Sequence, residues 1–184
     1  MPSPVGHALG GAIIGLVFDR GARPAGGDAG RRRGLAAPLV LASALAACLP
    51  DLDFLWGRHN METHSLGAAV MAGLVAWSWW RGRTRLALAI VCAWASHVLF
   101  DWLGSDDTPP LGVMALWPWT SGFYFAHAYV FEAISRRYWL EGFWAHNLWA
   151  VATEVLMLGP VLIVTALWRT RRAGTRLPEG TPGA

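Results

Sequence analysis

Apolar residues along this chain fall in long runs separated by short polar stretches, and run length is the first structural signal. The first run, residues 5–18, is glycine-rich and short for a membrane crossing. It predicts either a tilted short span or a re-entrant segment. A stretch of Arg, Gly and Pro follows over residues 19–34. The second run, 35–49, ends at Pro50-Asp51-Leu52-Asp53. The third, 63–80, opens on Thr63-His64-Ser65 and closes on Arg81, Arg83 and Arg85; Thr63 is a candidate helix cap. The fourth, 86–103, carries His97 and Asp101. Residues 104–118 read as irregular, with Pro109 and Pro110. Residues 117–144 are aromatic and amphipathic, interrupted by Arg136 and Arg137, and read as an interfacial segment or short helix. The last run covers 145–168. The pattern predicts an all-α, polytopic transmembrane bundle of about five membrane segments. Residues 1–168 form its single domain, and 169–184 a disordered cytoplasmic tail.

Composition sharpens this expectation. Hydrophobic residues make up 54% of the chain and charged ones only 15%, which sets it apart from soluble domains. The 12 Trp suit membrane–water interfaces. All 15 basic residues are Arg, and they sit in clusters flanking apolar runs. The net charge of +3 therefore reports topology, so the expected partner is the lipid bilayer and no nucleic acid is expected. Cys48 and Cys92 lie inside apolar runs with neither metal-finger nor disulfide spacing. Residues 1–18 lack a positive leader region and a small-residue cleavage site, so a cleavable signal is not expected. No dinucleotide or phosphate-loop pattern is present.

The Arg clusters within 20–33, 81–85 and 169–176 are expected on the cytoplasmic side. That assignment, which uses only Arg and apolar runs, sends His7, Asp51, Asp53, His64, His97 and Asp101 together to the outer face. Ionisable residues at the ends of apolar runs are costly and call for partners. His97 and Asp101, four apart, share a helix face and can reach one ion or simply join two helices by a hydrogen bond. Asp51 and Asp53, beside Pro50, either converge in extended chain or divide into one ligand and one supporting carboxylate. The hydroxyls of Thr63 and Ser65 flank His64 and could orient it. A mixed imidazole–carboxylate set suits Zn²⁺, and also Mn²⁺ or Fe. Six such residues exceed the needs of one tetrahedral ion, so one or two ions are expected, with Asp101 a candidate bridge. Arg58 is a candidate anion contact, His59 a general acid or outer ligand, and Asp53 a proton acceptor. His127, Glu132 and His146 are read as interfacial, whereas Glu154 lies inside the last run and needs a partner.

Together, Gly6-His7, Pro50-Asp51-Leu52-Asp53, Thr63-His64-Ser65, His97-x-x-x-Asp101 and the run from Gly112-Val113 to Leu116-Trp117-Pro118 resemble a known family. It comprises the bacterial and archaeal membrane-bound metal-dependent hydrolases, also called LexA-binding inner-membrane-associated hydrolases. The likeness covers about residues 5–120, with Glu62 where the family has a basic residue. It implies a cytoplasmic (inner) membrane location and hydrolysis. The order His, Asp, His, His-x-x-x-Asp is also similar to zinc-dependent phospholipase C, which implies zinc ligation by His7, Asp51, His64, His97 and Asp101 and cleavage of a phosphoester. The substrate expected is lipid-linked or a phosphorylated small molecule. The alternative is a metal-binding membrane protein without enzymatic activity, or a transporter lined by the same groups.

Overall fold

A computed structural model describes residues 1–19, 36–106 and 109–174. The Arg cluster within 20–33, Asp107 and the chain from residue 175 onward lie outside the described residues. The fold is all-helical: α1 (Pro4–Phe18), α2 (Ala36–Cys48), α3 (Leu66–Trp79), α4 (Thr84–Trp102) and α5 (Phe143–Gly174), with a 3₁₀ helix (Leu49–Trp56) running on from α2. Among the described residues there is no strand, only two isolated bridges, Gly104 with Phe131 and Val113 with Tyr124. Three helical stretches are long and apolar enough to cross a membrane: Ala37–Trp56, Thr84–Trp102 and Phe143–Arg171. The helices α1 and α3 are apolar but shorter. At 15 residues α1 is about 22 Å long, less than a hydrocarbon core.

Small residues bring these helices together. In α1, Gly10, Gly11 and Gly15 turn toward α4 and α2. A Cβ added at Gly11 would come within 2.4 Å of the Ser43 carbonyl oxygen, and one at Gly15 within 2.6 Å of Val40 Cα. Gly73 does the same for α3 against Val91 of α4. Such close backbone approach is how helices associate where lipid removes the hydrophobic driving force. Consequently α1 packs against α2, α4 and α5 at once, and α4 against α1, α2 and α3.

The ends of the elements are locally determined. Ser3 caps α1, its hydroxyl accepting from the amides of Val5 and Gly6, with Pro4 in the first turn. Ser65 caps α3 by accepting from Ala68 N at 3.0 Å. The cap is therefore Ser65 rather than Thr63, whose hydroxyl is used elsewhere. The expected interfacial segment or short helix over 117–144 is irregular up to Phe143. Its backbone bonds instead to the ends of other elements: Leu66 N donates to Ala115 O, Met114 N to Asn60 O, and Ile134 N to Met1 O. Residues 103–106 and 109–142 thus form a lid on the end of the bundle where α1 and α3 begin and α2 and α4 finish. The last helix extends past Trp168 to Gly174, so the expected tail begins with helical turns. At the opposite helix ends, Arg169 pairs with Asp19.

Candidate metal centre

Helix direction alone collects the ionisable residues. His7 lies in the second turn of α1, Asp51 and Asp53 in the 3₁₀ helix after α2, His64 just before α3, and His97 and Asp101 in the last turns of α4. All six lie at the same end of the bundle, and His7, Asp53, His64, His97 and Asp101 are fully buried.

Five of them converge on one point. Asp101 sits at the middle, its Oδ2 2.9 Å from His97 Nε2 and 3.3 Å from His64 Nε2, its Oδ1 3.4 Å from His7 Nε2. Asp51 Oδ1 closes the group at 3.7 Å from His64 Nε2 and 3.8 Å from His97 Nε2. The His7 and His97 rings stack with centroids 3.8 Å apart. Despite this proximity, Nε2 of all three histidines and both oxygens of Asp101 have no well-directed hydrogen bond. Buried polar atoms left in that state carry a penalty that a shared cation removes. The spacing fits as well. Donors sharing a tetrahedral ion at bonds of about 2.0–2.1 Å lie roughly 3.3 Å apart. Three overlapping triads have donor atoms within 4.8 Å of one another: His7, Asp51 and His97; His64, His97 and Asp101; and Asp51, His59 and His64. Nitrogen and oxygen donors in this mixture suit Zn²⁺, Mn²⁺ or Fe.

A surrounding layer of hydrogen bonds aims the imidazoles. His97 donates from Nδ1 to the Ala47 carbonyl at 2.7 Å, which turns its Nε2 inward. His64 faces Asp53 Oδ2 through Nδ1 at 3.1 Å, a carboxylate–imidazole pairing of the kind that orients metal ligands. Thr63 donates to the same oxygen at 2.8 Å, and Trp94 of α4 fixes Thr63 by donating to its carbonyl at 2.7 Å. The other Asp53 oxygen accepts from His59 Nδ1 at 2.7 Å. With a turn every three residues, the 3₁₀ helix sends Asp51 and Asp53 in different directions. Asp51 enters the cluster and Asp53 stands behind it, so the second of the two arrangements open from sequence is the one adopted. Both Asp53 oxygens are taken, which sets it apart from the five convergent residues.

His59 and Arg58 separate just as clearly. The His59 ring stacks on Phe54 and its Nε2 lies 3.0 Å from an Arg136 nitrogen. Arginine only donates, so His59 Nε2 accepts and its proton resides on Nδ1, facing Asp53. Arg58, 57% exposed, pairs with Glu62 one turn away and does not face the cluster. The cation beside His59 is Arg136, held 3.8 Å over the Phe54 ring. Sequence reasoning noticed Arg136 only as an interruption in an aromatic stretch; its neighbours Phe54 and His59 are distant in the chain.

Electrostatics are sharpest at His64. Burial opposes its charge, but the adjacent carboxylates of Asp51, Asp53 and Asp101 outweigh that and push its pKa up to about 9. Glu154, suspicious from sequence, has its partner in Ser3: the Ser3 amide donates to Oε1 at 2.6 Å and the Ser3 hydroxyl to Oε2. A carboxylate at the start of α1 complements the helix dipole and anchors the turn that carries His7. Gly6 makes room, since a Cβ there would lie 2.7 Å from Glu154 Oε2. His146 also has a structural partner, donating to the Ala133 carbonyl at 2.7 Å.

Comparison with known proteins adds one finding. The family model described as YdjM inner membrane protein matches residues 1–173. No curated protein and no solved structure matches the chain.

Proposed function

This chain belongs to the YdjM inner membrane protein family, and on that footing we propose that it is a multi-pass, metal-dependent hydrolase whose centre faces outward and acts on a phosphoester, lipid-linked substrate. The observation that carries the reading is the convergence of three buried imidazole Nε2 atoms and the Asp101 carboxylate, all without well-directed hydrogen bonds. The outward orientation rests on Arg81, Arg83, Arg85, Arg169 and Arg171, which lie toward the opposite ends of the helices and belong on the cytoplasmic side. A lipid-linked substrate suits a centre at one end of the bundle, near headgroup level. The phosphoester class follows the resemblance of the ligand order to zinc-dependent phospholipase C.

In this reading His7, Asp51, His64, His97 and Asp101 hold one or two divalent ions, zinc first among them. Such an ion supplies a Lewis acid for a phosphoryl oxygen and lowers the pKa of a water nucleophile. The protein's own part is positioning and proton handling. Asp53 aligns His64 on one side and His59 on the other. His59, its side chain 14% exposed, is the proton-carrying group within reach of a substrate, and buried Asp53 is its orienting partner. Asp51, 22% exposed, marks the open side of the ligand set.

The test is purification in detergent, elemental analysis, and hydrolysis assays on phospholipids with and without chelator. Stoichiometric metal, lost in His64→Ala and His97→Ala together with chelator-sensitive hydrolysis, is the expected result. A wild-type protein free of metal rejects the proposal. A second reading, a metal-binding membrane protein without catalysis, draws on the closure of the site, since four of the five converging residues are fully buried. It predicts bound metal with no chelator-sensitive hydrolysis.

A further inference from the structure

Beside the centre, under the lid, lies a cavity of about 410 Å³ whose walls include His59, Glu132, Ser135, Arg136, Arg137 and His146. That size is within the range of small-molecule sites. Two guanidinium groups, Arg136 and Arg137, and two carboxylates, Asp106 and Glu132, line it, and none of the residues assigned to the ion does. Arg136 is held in a defined pose. Its guanidinium lies over Phe54, and one of its nitrogens meets His59 Nε2. The backbone that presents it is clamped to α5 by a reciprocal pair. Ser135 N donates to Asn147 Oδ1 at 2.7 Å, and Asn147 Nδ2 donates to Ser135 O at 2.9 Å. His146 adds its bond to the Ala133 carbonyl one turn away. Such effort spent on one exposed arginine is not needed for solubility. Arg136 makes no ion pair among the described residues. A guanidinium has five donor hydrogens, and His59 uses one. The remaining fork matches an oxyanion in two-point contact.

We propose that this cavity binds a phosphate group, with Arg136 as its anchor and His59 between that phosphate and the metal ligands. The inference rests on the hydrolase reading for its meaning, as it names the substrate's recognised group, but the binding site stands on its own residues. Arg58, neutralised by Glu62, has no part in it. The same chemistry serves a phospholipid headgroup or a soluble phosphate monoester, and the test separates them.

Full-length protein in detergent is titrated with inorganic phosphate, as purified and after chelation, and in parallel captured on vesicles of phosphatidylglycerol against phosphatidylcholine. Arg136→Ala is expected to weaken phosphate binding by tenfold or more in both metal states, with unchanged metal content and melting temperature. Arg136→Lys keeps the charge without the fork and is expected to recover only part of the loss. Selective capture on phosphatidylglycerol that depends on Arg136 identifies a lipid source. Phosphate binding without Arg136-dependent capture identifies a soluble one. Unchanged phosphate affinity in a folded Arg136→Ala protein overturns the proposal. Absence of metal from wild type, with Arg136-dependent phosphate binding retained, removes the hydrolase reading and leaves the anion site.

Discussion

On the proposed metal reading, a proton and a cation compete for Nε2 of His64, and the competition has a sign. The unfolded imidazole titrates near 6.5 and the folded one at about 9. In metal-free protein the protonated ring therefore stabilises the fold fully below about pH 6.5, and that contribution disappears as pH rises through about 9. Chelated protein should lose melting temperature between those values. Metal must displace the proton, so the apparent metal affinity should rise with pH over the same window, by up to about tenfold per unit. Metal titrations at three pH values decide this, and a flat affinity contradicts proton displacement. Asp53→Asn leaves the converging donors intact but disturbs the aim of His64. It should lower metal affinity about 10- to 100-fold without abolishing binding, whereas His97→Ala should abolish stoichiometric loading. His59→Gln should keep the metal and lower turnover by about 10²- to 10⁴-fold. Metal loss in that variant would instead make His59 a ligand. At this scale the convergence of His7, Asp51, His64, His97 and Asp101 was legible because a charge at the end of an apolar run has few reasons to be there. The split between Asp51 and Asp53 was not, because it depends on a 3₁₀ rather than extended backbone after Pro50.

Helices assemble here by fit between backbones. Gly11 of α1 admits Ser43, Ala44 and Ala47 of α2, and two of the three atoms closest to its missing Cβ are main-chain. Neither can swing away, so Gly11→Ala should destabilise by about 1–3 kcal/mol and lower melting temperature and metal occupancy together. Ser3→Ala removes both a cap and the hydroxyl donor to buried Glu154 and should cost about 2–4 kcal/mol, with a loss of occupancy through His7 alone. An unchanged melting temperature in Gly11→Ala would argue against the packing account. Most of the helices were readable from run length and from the Arg that closes the first, third and last runs. The lid was not: its sequence has no helical period, and the order of its described residues comes from bonds to Met1, Asn60, Leu66, Trp102 and Leu103. For the same reason Arg136 escaped notice, since its relation to Phe54 and His59 exists only once that lid has folded back.

For the molecule as a whole, the proposed orientation rests on the separation of charge types along the helix axes. His7, Asp51, Asp53, His64, His97 and Asp101 gather at one end, while Arg81, Arg83, Arg85 and Arg169 lie toward the other. With Cys48 and Cys92 replaced by alanine, single cysteines at Arg58 and Thr84, both exposed, report the two ends. In spheroplasts a membrane-impermeant thiol reagent should modify Arg58→Cys directly and Thr84→Cys only after lysis. The reverse pattern would place the centre in the cytoplasm and end the proposal of outward-facing chemistry, though not that of a metal site.

The bond between Ser3 and Glu154 spans 151 residues of sequence. During synthesis the first helix must therefore wait, its polar start unanswered, until the fifth has left the ribosome. On the proposed metal reading, ion capture then becomes a mark of completed translation: a chain stalled before α5 should emerge as an unloaded intermediate, open to quality control.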